Sequence, residues 1–420
     1  MPRPLRLWAK RRGLKMQITD VSLRGSFTSR GDATIEATVK VGSTVATVTA
    51  PAGASTGEHE ALHLPQGGSG SVMKSFRKEM LIGIDPLSFK DVSDALKKMD
   101  GTSNFSKIGG STAFAVSVAS AVAGARASSV QLFETFHLKH QMPFPIGNVL
   151  GGGKHAGPGS PDIQEFLSSP VGAKSVFDAV SANIAVHREV LKQIEKRDPT
   201  FAGGKGDEGA WAANIKDDDA LELVRNSIDA VSKQLGIRII MGLDLASSTF
   251  FQKGIYNYSR KGKKLTGEEQ LAYVEGIIKK YDLKYVEDPF DEEDFEMFSR
   301  LTKSTNIMIV GDDIFVTDVK RLKKGISMKA GNGVILKVNQ VGTLYDAELF
   351  AEEAERSGFT VIASHRSGDT CDPYLAHIAV GVGAGLMKSG VVGGERISKL
   401  MELSKVNDNN PQIPLWRPIV

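Results

Sequence analysis

The chain has 420 residues, 41% hydrophobic and 24% charged, with a formal net charge of +3 and a single cysteine, Cys371. One cysteine excludes an intramolecular disulfide, and no apolar run approaches the ~20 residues a membrane-spanning helix needs. Residues 1–15 carry six basic side chains and no acidic one, which leaves −3 on residues 16–420, so neither a nucleic-acid nor a membrane partner is expected.

MPRPLRLWAKRRGLK, residues 1–15, lacks the apolar centre of a secretory signal and reads as a disordered basic extension, with Met16 as an alternative first residue. From Gln17 the pattern alternates, and ATIEATVKVG and STVATVTA predict two strands paired around Gly42. After Gly57 the character turns helical. Residues 111–129, STAFAVSVASAVAGARASS, predict a helix of small residues that packs closely against its neighbours. The proline- and glycine-rich stretch MPFPIGNVLGGGKHAGPGSP (142–161) puts a domain boundary near residue 141 and predicts a mobile loop over a site.

Beyond it, short apolar runs alternate with helical segments: RIIMGLD, LKYVED, IMIVGDD, GVILKVN and FTVIASHR, with GEEQLAYVEGIIKKY and YDAELFAEEAERSG between them. This alternation predicts a mainly parallel sheet with crossover helices. Asp244, Glu287, Asp312, Lys337 and His365 close the five runs, at steps of 43, 25, 25 and 28 residues. In an α/β barrel such positions emerge on one face, where active sites lie.

Asp244, Glu287 and Asp312 offer only oxygen ligands, which favours a hard cation such as Mg²⁺ over zinc. Lys337, on the next strand, would sit near that metal, whose positive charge would lower its pKa and suit it to act as a base. Removing a proton beside a carboxylate builds a doubly charged enolate, which metal ions stabilise. In SHRSG (364–368), Arg366 and Ser367 suit a phosphate, a fork of donors beside a hydroxyl. Lys388, in GLMKSG, could pair with a carboxylate. GDEG (206–209) sets Glu208 between glycines, where backbone can approach a ligand; alone that motif would be a turn.

From about Thr28 onward the chain resembles the enolase family. SRGDATIEATV resembles its N-terminal strand motif and PAGASTGEHEAL its serine loop. GGGKHAG, DIQEF, GDEG, GLDLASS, VEDPF, GDDIFVT, LKVNQVGTL, SHRSGDT and MKSG follow in the family's order. The resemblance implies an α/β protein: a small α+β capping domain over residues 16–141, then a modified TIM barrel over 142–420 that includes one antiparallel strand. It implies reversible dehydration of 2-phosphoglycerate to phosphoenolpyruvate, two Mg²⁺ ions per site with the second arriving with substrate, a cytoplasmic location, and a homodimer or octamer. By the same resemblance, Asp244, Glu287 and Asp312 bind the first Mg²⁺, and Ser55 binds the second together with phosphate. Lys337 removes the C2 proton. Glu208 protonates the departing hydroxyl, assisted by Glu165. His155, Arg366 and Ser367 surround the phosphate, Lys388 meets the substrate carboxylate, and Gln164, Ser364 and His365 complete the pocket beside Glu287 and Asp312. Asp207 and Asp313 are expected behind the ligands.

The chain departs from the family pattern at Gly151, at HLPQ after EAL, in GDEGAWAAN, at Thr249 and in DTCD (369–372), and none of these removes a catalytic side chain. The alternatives are a paralogue acting on another carboxylic acid, or a non-catalytic binding protein.

Overall fold

The computed structural model describes residues 16–54 and 59–418. The basic extension 1–15 and Ser55 lie outside the described residues.

The N-terminal part opens with an antiparallel sheet of β1 (Ile18–Phe27), β2 (Ala33–Val41) and β3 (Thr44–Thr49). The expected hairpin forms with Val41 facing Thr44 across Gly42 and Ser43. Its alternation buries Ile35, Ala37 and Val39 on one face. β1 was not anticipated, because a register shift between Ile18 and Asp20 breaks its alternation. A helix over Gly110–Ala127 covers the buried face, and its alanines, serines and glycines are almost all buried, as close packing requires.

The rest winds into a closed eight-stranded barrel. Its strands are β4 (Phe144–Gly151), β5 (Glu165–Ser169), β6 (Ile240–Asp244), β10 (Leu283–Glu287), β11 (Met308–Gly311), β12 (Gly333–Leu336), β13 (Thr360–Ser364) and β14 (Leu386–Gly390). A small sheet of β7 (Phe251–Gln252), β8 (Ile255–Tyr258) and β9 (Lys263–Leu265) is inserted after β6. Its short strands gave no signal in the sequence. β5 pairs antiparallel with both β4 and β6, and the other barrel pairs are parallel. Phe144, Ile146, Leu167, Tyr285, Val310, Ile335, Ile362 and Leu386 fill a buried cluster on these strands. Each large apolar side chain there contributes about 1.5–3 kcal/mol by leaving water.

Hydrogen bonds join the N-terminal part to the barrel face, among them a reciprocal pair in which Ala52 N donates to Gly368 O (2.7 Å) and Gly368 N to Ala52 O (2.8 Å). Among the described residues, no helix is long and apolar enough to cross a membrane.

Candidate active site

The reversed strand explains how acidic residues collect on one face. Parallel strands deliver their last residues there, so Asp244 and Glu287 arrive at the ends of β6 and β10. Running the other way, β5 delivers its first residue, Glu165. In register, Glu165 faces Asp244 and Asp244 faces Glu287.

Like charges this close need a counter-charge. Lys388 Nζ lies 3.0 Å from Asp244 Oδ2, 2.8 Å from both Glu287 oxygens and 3.4 Å from Glu165 Oε2. Burial alone would push the Lys388 ammonium down, but Asp244, Glu165 and Glu287 outweigh it and hold it well above the usual lysine value. Burial and Asp244 push the Glu287 carboxyl well up against the opposing pull of Lys388. Tyr285 donates to Glu287 Oε2 at 2.5 Å. In this state Lys388 thus spans three carboxylates of the protein itself.

Asp312 and Lys337, one residue past β11 and β12, form a close ion pair. Asp288 accepts from Asp312 N (3.0 Å) and Asp313 N (2.8 Å), fixing the peptide that carries the paired aspartates. Val316 and Thr317 follow at φ 43° and 57°, a left-handed backbone costing about 1–3 kcal/mol per residue. That bend sets Thr317 Oγ1 to accept from Lys337 N (3.0 Å) and donate to Gln340 Oε1 (2.6 Å). Gln340 Nε2 in turn donates to Asp312 Oδ1 at 3.1 Å. The protein groups alone raise Lys337 rather than lower it. Burial, Arg366 and Lys388 push it down, but Asp312 outweighs them and leaves it above its ordinary value.

A second group handles protons differently. His155 Nδ1 lies 3.4 Å from Glu165 Oε1 and 3.6 Å from Glu208 Oε1. Burial works against the imidazolium, but Glu208 and Glu165 raise it to about 9. Burial and Glu208 push the Glu165 carboxyl up, whereas His365 and His155 overcome burial and hold Glu208 well below the carboxylate range. Of this pair, Glu165 is the more readily protonated. Asn148 Nδ2 donates to Glu208 Oε2 at 3.2 Å. Two glycines admit the Glu208 loop: a Cβ at Gly206 would stand 2.1 Å from His155 O, and one at Gly390 2.0 Å from Glu208 O.

On the remaining wall, Arg366 Nη1 donates to Asn339 Oδ1 (2.9 Å) and to Glu60 Oε2 (3.2 Å). Ser367 Oγ accepts from Ala54 N at 2.7 Å, and Ser364 Oγ donates to His365 O at 3.0 Å. Gln164 Nε2 lies 3.5 Å from Asp244 Oδ2. The structure thus lines one cavity with His155, Gln164, Glu165, Glu208, Asp244, Asp312, Lys337, Ser364, His365, Arg366, Ser367 and Lys388. Glu287 has no exposed surface and lies against Lys388. Ser55 lies outside the described residues.

Sequence reasoning missed Glu60, Asn148, Asp288 and Gln340. Each stood inside a motif already noted, and Asp288 adjoined Glu287, but nothing in the residue pattern showed what it would touch.

Among the described residues, two sets offer metal-ligand atoms within 4.8 Å of one another: His155–Glu165–Glu208 and Asp288–Asp312–Asp313. The second is oxygen-only and includes Asp312 of the expected triad, while Asp244 and Glu287 gather round Lys388. Seven carboxylates, Glu60, Glu165, Glu208, Asp244, Asp288, Asp312 and Asp313, line the cavity against three lysine or arginine cations among its described lining residues, Lys337, Arg366 and Lys388. This acidic excess and donor chemistry fit a hard divalent cation.

Fold and site define an α/β-barrel enzyme with a carboxylate-rich centre at the C-terminal ends of its strands. Family models described as "Enolase, N-terminal domain" and "Enolase, C-terminal TIM barrel domain" match residues 18–136 and 139–413. The chain is 46% identical over 395 residues to an enolase of Archaeoglobus fulgidus, covering 94% of this chain and 98% of that one. It is 43% identical over 407 residues to an enolase of Methanosphaera stadtmanae, with the same two coverages, and 43% identical over 405 residues to one of Pyrobaculum aerophilum, covering 94% and 97%. The chain belongs to the enolase family. It is accordingly a carbon–oxygen hydro-lyase, a phosphopyruvate hydratase, and the family implies a divalent metal.

Proposed function

We propose that the cavity interconverts 2-phosphoglycerate and phosphoenolpyruvate in glycolysis and gluconeogenesis, with Mg²⁺ as the metal. The observation that carries this reading is the presence of two distinct proton-handling groups on one cavity: Lys337 with Asp312, and the Glu165–Glu208 pair with His155. Lys337, in its neutral form, takes the C2 proton. The C2 electron pair becomes the C2–C3 double bond as the C3–oxygen bond breaks. Glu208 gives the departing hydroxyl its proton, so that it leaves as water, and Glu165, whose carboxyl burial pushes up, is the group that returns a proton to Glu208. His155, Arg366 and Ser367 bind the phosphate, Lys388 the substrate carboxylate, and Gln164, Ser364 and His365 orient these groups.

Asp244, Glu287 and Asp312 would hold one Mg²⁺, and Ser55 with the substrate phosphate a second. When bound, the ions supply positive charge against the negative charges that accumulate on the substrate carboxyl. Residues 16–141 form the cap and 142–420 the catalytic barrel of a cytoplasmic homodimer or octamer.

The test follows phosphoenolpyruvate absorbance from 2-phosphoglycerate, with and without Mg²⁺. Formation that depends on Mg²⁺ supports the reading, and none at any Mg²⁺ concentration contradicts it.

A further inference from the structure

Arg396 stands in the first turn of the helix Gly394–Asn409, fully buried, and does not line the cavity. No motif in the sequence marked it. Nη1 donates to His365 Nδ1 at 2.8 Å and to Arg366 O at 2.6 Å, and lies 3.2 Å from Asp369 Oδ2. Nη2 donates to Ser367 O at 2.7 Å and Asp207 O at 3.0 Å. One side chain therefore ties the backbone beside Glu208 to the backbone of the segment that carries His365, Arg366 and Ser367.

The contact with His365 also decides where that ring carries its proton. A guanidinium has donors only and stays protonated, so a ring nitrogen facing it must be an acceptor. Gly390 N points at the same Nδ1 from 3.4 Å, a second donor with the same requirement. The ring proton must then sit on Nε2, which lies 3.3 Å from Glu208 Oε1 without a well-aligned hydrogen bond in this state.

We propose that Arg396 is a positioning residue for the acid side of the reaction, fixing His365 as the Nε2–H tautomer so that it presents a donor to Glu208. The inference rests on the proposed role of Glu208. A donor at Nε2 stabilises the Glu208 carboxylate left after its proton has gone to the departing hydroxyl. The opposite tautomer would turn a lone pair on that carboxylate. The charged groups facing His365 are Glu208, Arg396 and Asp369, and Asp369 Oδ2 lies 3.2 Å from the same guanidinium nitrogen that meets the ring. Burial and Arg396 push the imidazole down to about 4, with Glu208 opposing, so the ring is neutral near pH 7 and the tautomer is the relevant variable.

The experiment is ¹⁵N NMR of histidine-labelled protein at pH 7, with the His365 signals assigned through His365→Asn. Wild type is expected to show His365 with Nε2 protonated and Nδ1 bare. Arg396→Lys and Arg396→Gln are expected to populate the Nδ1–H tautomer or the imidazolium. They should also lose dehydration by about tenfold or more while exchanging the substrate C2 proton with solvent at close to the wild-type rate. An Nδ1–H tautomer or an imidazolium in wild type overturns the inference, and this measurement needs no variant of Arg396 to fold. So does an unchanged tautomer in folded variants, or loss of exchange and dehydration together. Failure of the enolase reading shows up separately, as wild type that makes no phosphoenolpyruvate.

Discussion

The Arg366 guanidinium rests against the Glu60 carboxylate, with Nη1 and Nη2 each 3.2 Å from Oε2, although 306 residues separate the two in the chain. Both side chains are buried, at 4% and 5% exposure. The guanidinium proposed for substrate phosphate thus already has an anionic partner from the N-terminal part. Phosphate selectivity is then a difference between two anion contacts, since a phosphate-free acid leaves Arg366 on Glu60. Arg366→Ala is expected to remove charge-assisted hydrogen bonds worth ~1.5–3 kcal/mol each, lowering kcat/KM for 2-phosphoglycerate by about two to four orders of magnitude. The value for glycerate, already low, should change little. Comparable wild-type values for the two acids would favour a paralogue of different specificity.

Asp312 meets Lys337 on one oxygen and Gln340 on the other. Asp312→Asn keeps the shape and removes the charge. The variant should bind Mg²⁺ more weakly, read by calorimetry, and lose nearly all turnover. It should also let Lys337 titrate below its wild-type value, because the carboxylate that raises it is gone. Normal turnover at low Mg²⁺ would contradict the assignment of Asp312 as a ligand.

Gly390 lets Glu208 approach, since a Cβ there would stand 2.0 Å from Glu208 O. Gly390→Ala should displace the Glu208 loop at a cost of about 1–3 kcal/mol in stability. Dehydration should fall further than C2 exchange. Equal activity and an unchanged melting temperature would show that the loop has room to move.

His155 makes stability depend on pH in a defined window. Its folded value of about 9 lies above the unfolded value near 6.5, so between these the folded state keeps a proton that the unfolded chain has released. That contribution is full below pH 6.5 and is lost as the pH rises through 9. His187 and His365, both pushed down to about 4 chiefly by burial, act in the opposite sense. Between pH 4 and 6.5 the unfolded chain takes up protons that these folded rings refuse, so stability rises with pH there. Urea unfolding at pH 6.5 and 9 should show a decline in wild type larger than in His155→Gln by up to ~3 kcal/mol. Parallel declines would remove His155 as the cause.

Strand ends were the most legible feature of the chain, because an apolar run ending in a charge leaves a two-part signal. Asp244, Glu287, Asp312, Lys337 and His365 all stand where that signal put them. Glu165 carried no such mark. It begins its strand, and its arrival at the same face depends on the reversal of β5, which followed from family resemblance and from nothing in its composition. Glu60 and Arg396 were illegible for a related reason: each acts across hundreds of residues or through a partner's backbone, and periodicity reports neither. The balance of protein charges on Lys337 was not legible either, because its sign depends on the Asp312 contact, a distance that spacing in the sequence does not contain.

The central claim is that Lys337 handles the C2 proton while Glu208 handles the leaving hydroxyl. Its most direct test is solvent exchange of the C2 proton of 2-phosphoglycerate in deuterated buffer, followed by NMR beside phosphoenolpyruvate formation. Lys337→Ala should lose both exchange and product, whereas Glu208→Gln should keep exchange and lose product. Exchange that survives in Lys337→Ala and disappears in Glu208→Gln would contradict the assignment and reverse the two roles.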